Sequence, residues 1–238
     1  MNALNLPSFI FLVVLFVLMP RAALRTSRLV RQVRDQGQPL PRRRMVISTM
    51  FSLAMLWAIS SINATMMRTS LFRPGDLDAR KLGAGLLALA LLLLAIPIAR
   101  RMRSPEEERR RLLYGFAPRD GQEMAIFSLV AVMAGIAEEA AYRGVAVWIL
   151  TPVFGNPLPA MLLSMMAFAV SHAIQGGKAM ALIFVIAGVF HALVYFTDTL
   201  VVAMVVHATY DIIAGHVAGK RAREILAEDA AKAAATPG

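Results

Sequence analysis

The sequence predicts an all-α fold, a polytopic transmembrane helix bundle of about seven spans within a range of six to eight. Three observations predict it. The chain of 238 residues is 58% hydrophobic and 17% charged, with mean hydropathy +0.62, whereas soluble domains carry about a quarter charged residues. The apolar excess falls in long uncharged stretches, most of them near the roughly 20 residues that cross about 30 Å of hydrocarbon. Most basic residues flank those stretches, where membrane proteins keep topogenic charge. The net charge of +10 is therefore read as membrane-facing, with lipid and no nucleic acid as partner.

Taken in order, the apolar stretches lie at 4–21, 45–63, 83–99, 122–150, 157–174, 178–196 and 198–216. The first has its basic residues after it, eight arginines between Arg21 and Arg44. That order predicts a retained anchor rather than a cleaved signal peptide. The segment 122–150 exceeds one crossing, so a tilted, broken or prolonged helix is expected. Residues 1–100 thus form three N-terminal spans, with a basic loop at 22–44. Residues 101–120 form a linker: Ser104 and Glu107 have capping-box spacing, with acids in the first turn and arginines after. Residues 121–216 hold the remaining spans, and 217–238 a frayed tail. Loops 22–44 and 100–120 and the tail are all basic and share one side of a seven-span bundle. The positive-inside rule makes that side cytoplasmic in a cell membrane, with the N-terminus outside.

Ionisable residues inside spans are costly and mark function by default. They are concentrated in the C-terminal half. The fourth span carries Glu138, Glu139 and Arg143, the fifth His172, the sixth His191, and the seventh His207 and Asp211, with His216 at its end. Glu139 and Arg143 are i and i+4 with the acid first, the favourable order for a pair. Glu138 is rotated by about 100° and is left uncompensated, which makes it a candidate general base. His207 and Asp211 also share a face, so the carboxyl can orient the imidazole. Phe168 and His172 have the same spacing, which lets one ring aim the other. His191 and His216 show no partner pattern and are read as structural. With no cysteine in the chain, disulfides, thiolate nucleophiles and Cys-based metal sites are excluded. Ser164 and Ser171 lie near His172 without a serine-protease partner set.

The three pieces EEAAYR (138–143), FAVSH (168–172) and HATYD (207–211) resemble, in order and depth, the motifs EExxxR, FxxxH and Hxxx(N/D). These belong to the CAAX protease and bacteriocin-processing family of intramembrane glutamic endopeptidases. The resemblance covers about residues 120–215. It implies that Glu138, with His172, activates the attacking water, that His207 and Asp211 stabilise the oxyanion, and that Glu139 and Arg143 support them. Phe168 is the supporting aromatic. It further implies a membrane-associated peptide or protein substrate, with no cofactor and no metal. Two departures stand out: Asp211 replaces the more usual Asn, and TDTL (197–200) has Asp198 where many members have glycine. The bland alternative for the charged trio is a helix-packing ion pair. Competing functions are a metal-dependent membrane protease, a non-enzymatic scaffold or immunity protein, and a proton-coupled transporter. The transporter is disfavoured by the lack of paired broken helices. Span five raises one difficulty, because His172 is expected near a membrane surface while Glu138 and His207 lie deeper.

Overall fold

The computed structural model describes residues 5–36, 38, 40–73, 77–115 and 117–235; positions 236–238 of the tail lie outside them. All elements among the described residues are helical. Six helices are long and apolar enough to cross a membrane, and a shorter apolar one lies at Pro157–Ser171. The polytopic all-α bundle expected from hydropathy is therefore the fold, and this is an integral membrane protein.

Helix α1 (Leu6–Val13) starts at Asn5, whose side chain accepts from the Ser8 N–H. A π turn at Val14–Leu18 carries it unbroken into α2 (Met19–Asp35). The expected basic loop at 22–44 is thus mostly helix. Phe11, Leu15 and Ser27 are buried while Arg21, Arg25 and Arg28 face outward, so the arginines decorate a helix that still has a face to bury.

Helix α3 (Arg42–Met66) and α4 (Ala79–Arg101) match the second and third apolar stretches. Asp78 caps α4 by accepting from Lys81 and Arg80 N–H. The Lys81 bond, more than the other contacts, holds its carboxyl below the usual range. Helix α5 (Pro105–Tyr114) carries the expected capping box, with Ser104 and Glu107 each accepting from the other's backbone. It is more than a solvated linker, because Leu112 is fully buried against Ala117 and Ala222.

Helix α6 (Gly121–Glu138) passes through a π turn at Glu139–Val145 into α7 (Ala146–Phe154). This accounts for the overlong fourth stretch, which spans Gly121–Phe154. Helix α8 (Pro157–Ser171) is followed by a 3-10 turn at Ala173–Gln175, then α9 (Gly177–Thr197) and α10 (Leu200–Ala235). Asp198 ends α9 at φ +52. That left-handed conformation favours glycine and is tolerated by aspartate, which explains the substitution in TDTL. The tail expected to fray from Ala218 continues α10 instead. Ala222 packs under α5, and Arg109 pairs with Asp229.

Long-range contacts show which helix ends share a side. Arg42 donates to Gly115 O, Ala117 O and Glu123, and Lys178 donates to Met102 O. At the opposite end Thr199 Oγ1 donates to Arg73 O. The connections after α2 and α4, the start of α9 and the end of α10 therefore gather at one basic end. Leu86, Leu87 and Leu94 of α4 are more than half exposed, which suits a face turned to lipid chains.

Helix α10 packs most extensively on α6. A Cβ added to Gly135 would lie 2.7 Å from Met204 O, and one added to Gly215 would strike the Phe127 ring at 2.2 Å. Absent side chains at these positions let the two backbones approach. That approach brings the EEAAYR segment against His207.

Candidate active site

Glu139 opens the π turn, and every residue from Glu139 to Val145 is buried. π turns inside α-helices recur at functional sites. The expected pair forms: Arg143 Nη1 lies 3.1 Å from Glu139 Oε1, with both side chains fully buried. The contact is ionic rather than a directed hydrogen bond, since among the described residues no guanidinium nitrogen of Arg143 has a hydrogen-bond partner. Aromatic faces complete its surroundings. Arg143 Cζ stands 4.3 Å above the Phe168 ring and 5.2 Å from that of Phe190, distances at which a cation is attracted to the ring face.

Glu139 has a second task that helical spacing did not reveal. His207 Nδ1 lies 2.7 Å from Glu139 Oε1. A carboxylate paired with arginine accepts, so Nδ1–H donates and the ring's orientation is set. His207 Nε2 is thereby turned toward two further carboxyls, Asp211 Oδ2 at 3.5 Å and Glu138 Oε2 at 3.8 Å. Asp211 thus faces the same ring as expected, but from the Nε2 side, while Glu139 holds the other nitrogen.

His172 is the C-cap of α8. Its Nδ1 lies 2.8 Å from Phe168 O. A carbonyl only accepts, so Nδ1 carries the proton and Nε2 is left as an acceptor. The Phe168 and His172 rings pack with centroids 4.5 Å apart, the contact their spacing suggested. The Phe168 ring also meets that of His207 edge-on, with centroids 6.5 Å apart. All seven residues singled out in the three motifs thus meet in one cluster.

Access is graded across it. The Glu139 side chain is fully buried, that of Glu138 is 16% exposed, and that of Asp211 is 32% exposed. The cluster opens on the Glu138–Asp211 side. His207 is twelve residues before Gly219, where α10 meets Pro118, which places it about 18 Å along the helix from the basic end. The depth difficulty resolves because α8 has only 15 residues. It stops at His172 inside the bundle instead of running on through Gly176.

Other polar residues fall outside the cluster. His191 is buried with Nε2 unpartnered among the described residues, and His216 is exposed. Ser164 Oγ donates to Tyr142 O at 2.6 Å and Ser171 Oγ to Ala167 O at 2.9 Å, so both hydroxyls already have backbone partners. Among the described residues no three His, Asp or Glu side chains are arranged to hold a metal ion. Phe190 is the neighbour sequence reading missed: its ring lies 5.1 Å from that of His207 and also faces Arg143. An aromatic beside a buried histidine in an apolar span is the only signal it offered.

A helix bundle with two glutamates, two histidines and an aspartate converging in its interior defines a polytopic membrane protein with a buried acid–histidine cluster. Residues 120–213 match the family model of the Rce1-like, type II CAAX prenyl endopeptidases. The resemblance carried by the three motifs is borne out over that segment. No curated protein and no solved structure was found to match the chain.

Proposed function

We propose that this protein is an intramembrane endopeptidase that cuts a membrane-associated peptide or protein with a water activated by Glu138 and His172. The observation that carries the reading is the division of labour between adjacent glutamates. Glu139 is committed to Arg143 and His207, while Glu138 is partly exposed, makes no hydrogen bond among the described residues and lies 3.8 Å from His207 Nε2. Peptide hydrolysis needs a base for water and a donor for the tetrahedral oxygen. Glu138 takes the water proton and passes it to the leaving amine, and His172 Nε2 helps hold the water. His207 Nε2–H serves as the oxyanion donor, with Asp211 keeping that ring in place. No covalent intermediate is required.

The test is cleavage by the purified, reconstituted protein of a peptide with a prenylated cysteine followed by three residues, beside its unprenylated counterpart. His172→Ala is expected to lower turnover at least about a hundredfold, within the range for acid–base groups. Cleavage retained in that variant would overturn the glutamate–histidine mechanism. Activity lost on chelation and restored by zinc would favour a metal-dependent protease, and no cleavage of either peptide by the wild type a scaffold.

The gathered basic ends support a cytoplasmic placement of that side and an N-terminus outside the cell membrane. A single cysteine introduced at Glu224 is expected to react with impermeant maleimide only after the membrane is opened. Labelling of intact cells would reverse the orientation.

A further inference from the structure

We infer that Ser27, in the N-terminal helix, is a positioning residue for His172. The inference rests on the reading of His172 given above. Ser27 lies more than ninety residues before the matched segment 120–213, and no motif points to it. It is 8% exposed and the only buried residue between Arg21 and Val30, a stretch that is otherwise outward-facing or half-buried. A helical serine commonly donates to the carbonyl four residues back in its own helix. Ser27 Oγ instead donates across the bundle to Ala173 O, at 3.0 Å.

That carbonyl belongs to the residue directly after His172. Helix α8 ends on a turn whose terminal carbonyls have no intrahelical partners of their own and are satisfied by other groups. The turn that follows is slight: Gln175 N donates to His172 O and Gly176 N to Ala173 O, with Gly176 at φ +93. Among the described residues, Ser27 adds the one side-chain hydrogen bond to this turn from another helix. The imidazole of His172 is tied to its own helix through Phe168 O, so the end of α8 carries the ring with it. The Ser27 hydroxyl therefore sets how far His172 Nε2 reaches toward Glu138. It also gives α2 a role in a site that lies elsewhere in the sequence.

The experiment uses the full-length protein in vesicles, with Ser27→Ala, Ser27→Thr and Ser27→Cys compared with the wild type. Cysteine keeps the size and weakens the donor, and it serves if the alanine variant folds poorly. Two readouts are taken: hydrogen exchange of the segment 172–177, and kcat and KM for the peptide cleaved by the wild type. Ser27→Ala is expected to speed exchange in 172–177 while leaving α6 and α10 protected. It should lower kcat about tenfold with KM unchanged, less than the roughly hundredfold cost of a full 1 Å misplacement. Ser27→Thr should restore both. Unchanged exchange at 172–177, a loss carried by KM, or failure of threonine to rescue would overturn the inference. Should the wild type itself show no Glu138-dependent cleavage, faster local exchange in Ser27→Ala would still establish the anchor. The mechanism alone would then have failed.

Discussion

Glu138→Gln is expected to abolish peptide cleavage, by about a thousandfold or more, and to leave the thermal unfolding of the protein almost unchanged. The amide has the shape of the acid but cannot take a proton from water, and a positioned base typically contributes about 10²- to 10⁴-fold. The stability side follows from the surroundings of this carboxyl. It is partly exposed and its contact with His207 Nε2, at 3.8 Å, is too long for a hydrogen bond. Removing one of three acidic groups around that ring breaks nothing that holds helices together. Cleavage within tenfold of wild type in a well-folded Glu138→Gln protein would remove Glu138 from the chemistry.

Glu139→Gln is expected to do the reverse, lowering stability by about 3 kcal/mol or more, because breaking a buried ion pair leaves a charge uncompensated. Arg143 would keep its full charge with both aromatic faces against it and no directly paired anion, in a segment without exposure. The glutamine oxygen still accepts from His207 Nδ1, so protein that survives folding should retain a correctly turned ring and part of its turnover. The check is the melting temperature in detergent together with activity per folded molecule. A Glu139→Gln protein as stable as wild type would mean that Arg143 is compensated by something other than this carboxylate. Two neighbouring residues of one type are thus assigned opposite phenotypes, one catalytic and one architectural.

Much of this was legible in the sequence, for identifiable reasons. Long uncharged runs admit few structures in a bilayer, so spans such as 42–66 and 79–101 fall within a few residues of their hydropathy limits. The Glu139–Arg143 pair lies within one helix, where spacing alone decides who meets. The Glu139–His207 bond was not legible, because it depends on the register between α6 and α10. That register comes from close backbone contact at Gly135, which no periodicity records. The arginines of α2 dominate its composition and read as loop, while the helix still buries Ser27. The length of α8 was overestimated for a related reason: apolar residues continue past Ser171, and only the unfavourable position of His172 marked the stop.

The short α8 has a consequence for the surrounding lipid. Its 15 residues rise only about 22 Å, against hydrocarbon about 30 Å thick. Leu158, Leu162 and Met166 form an outward row at fourfold spacing, so acyl chains meet this helix directly. Lipid there must thin or tilt to match it, drawing headgroups and water down toward the level of His172. Hydrophobic mismatch thus makes bilayer thickness a variable of access to the cluster. The membrane sets how far water must travel to reach it.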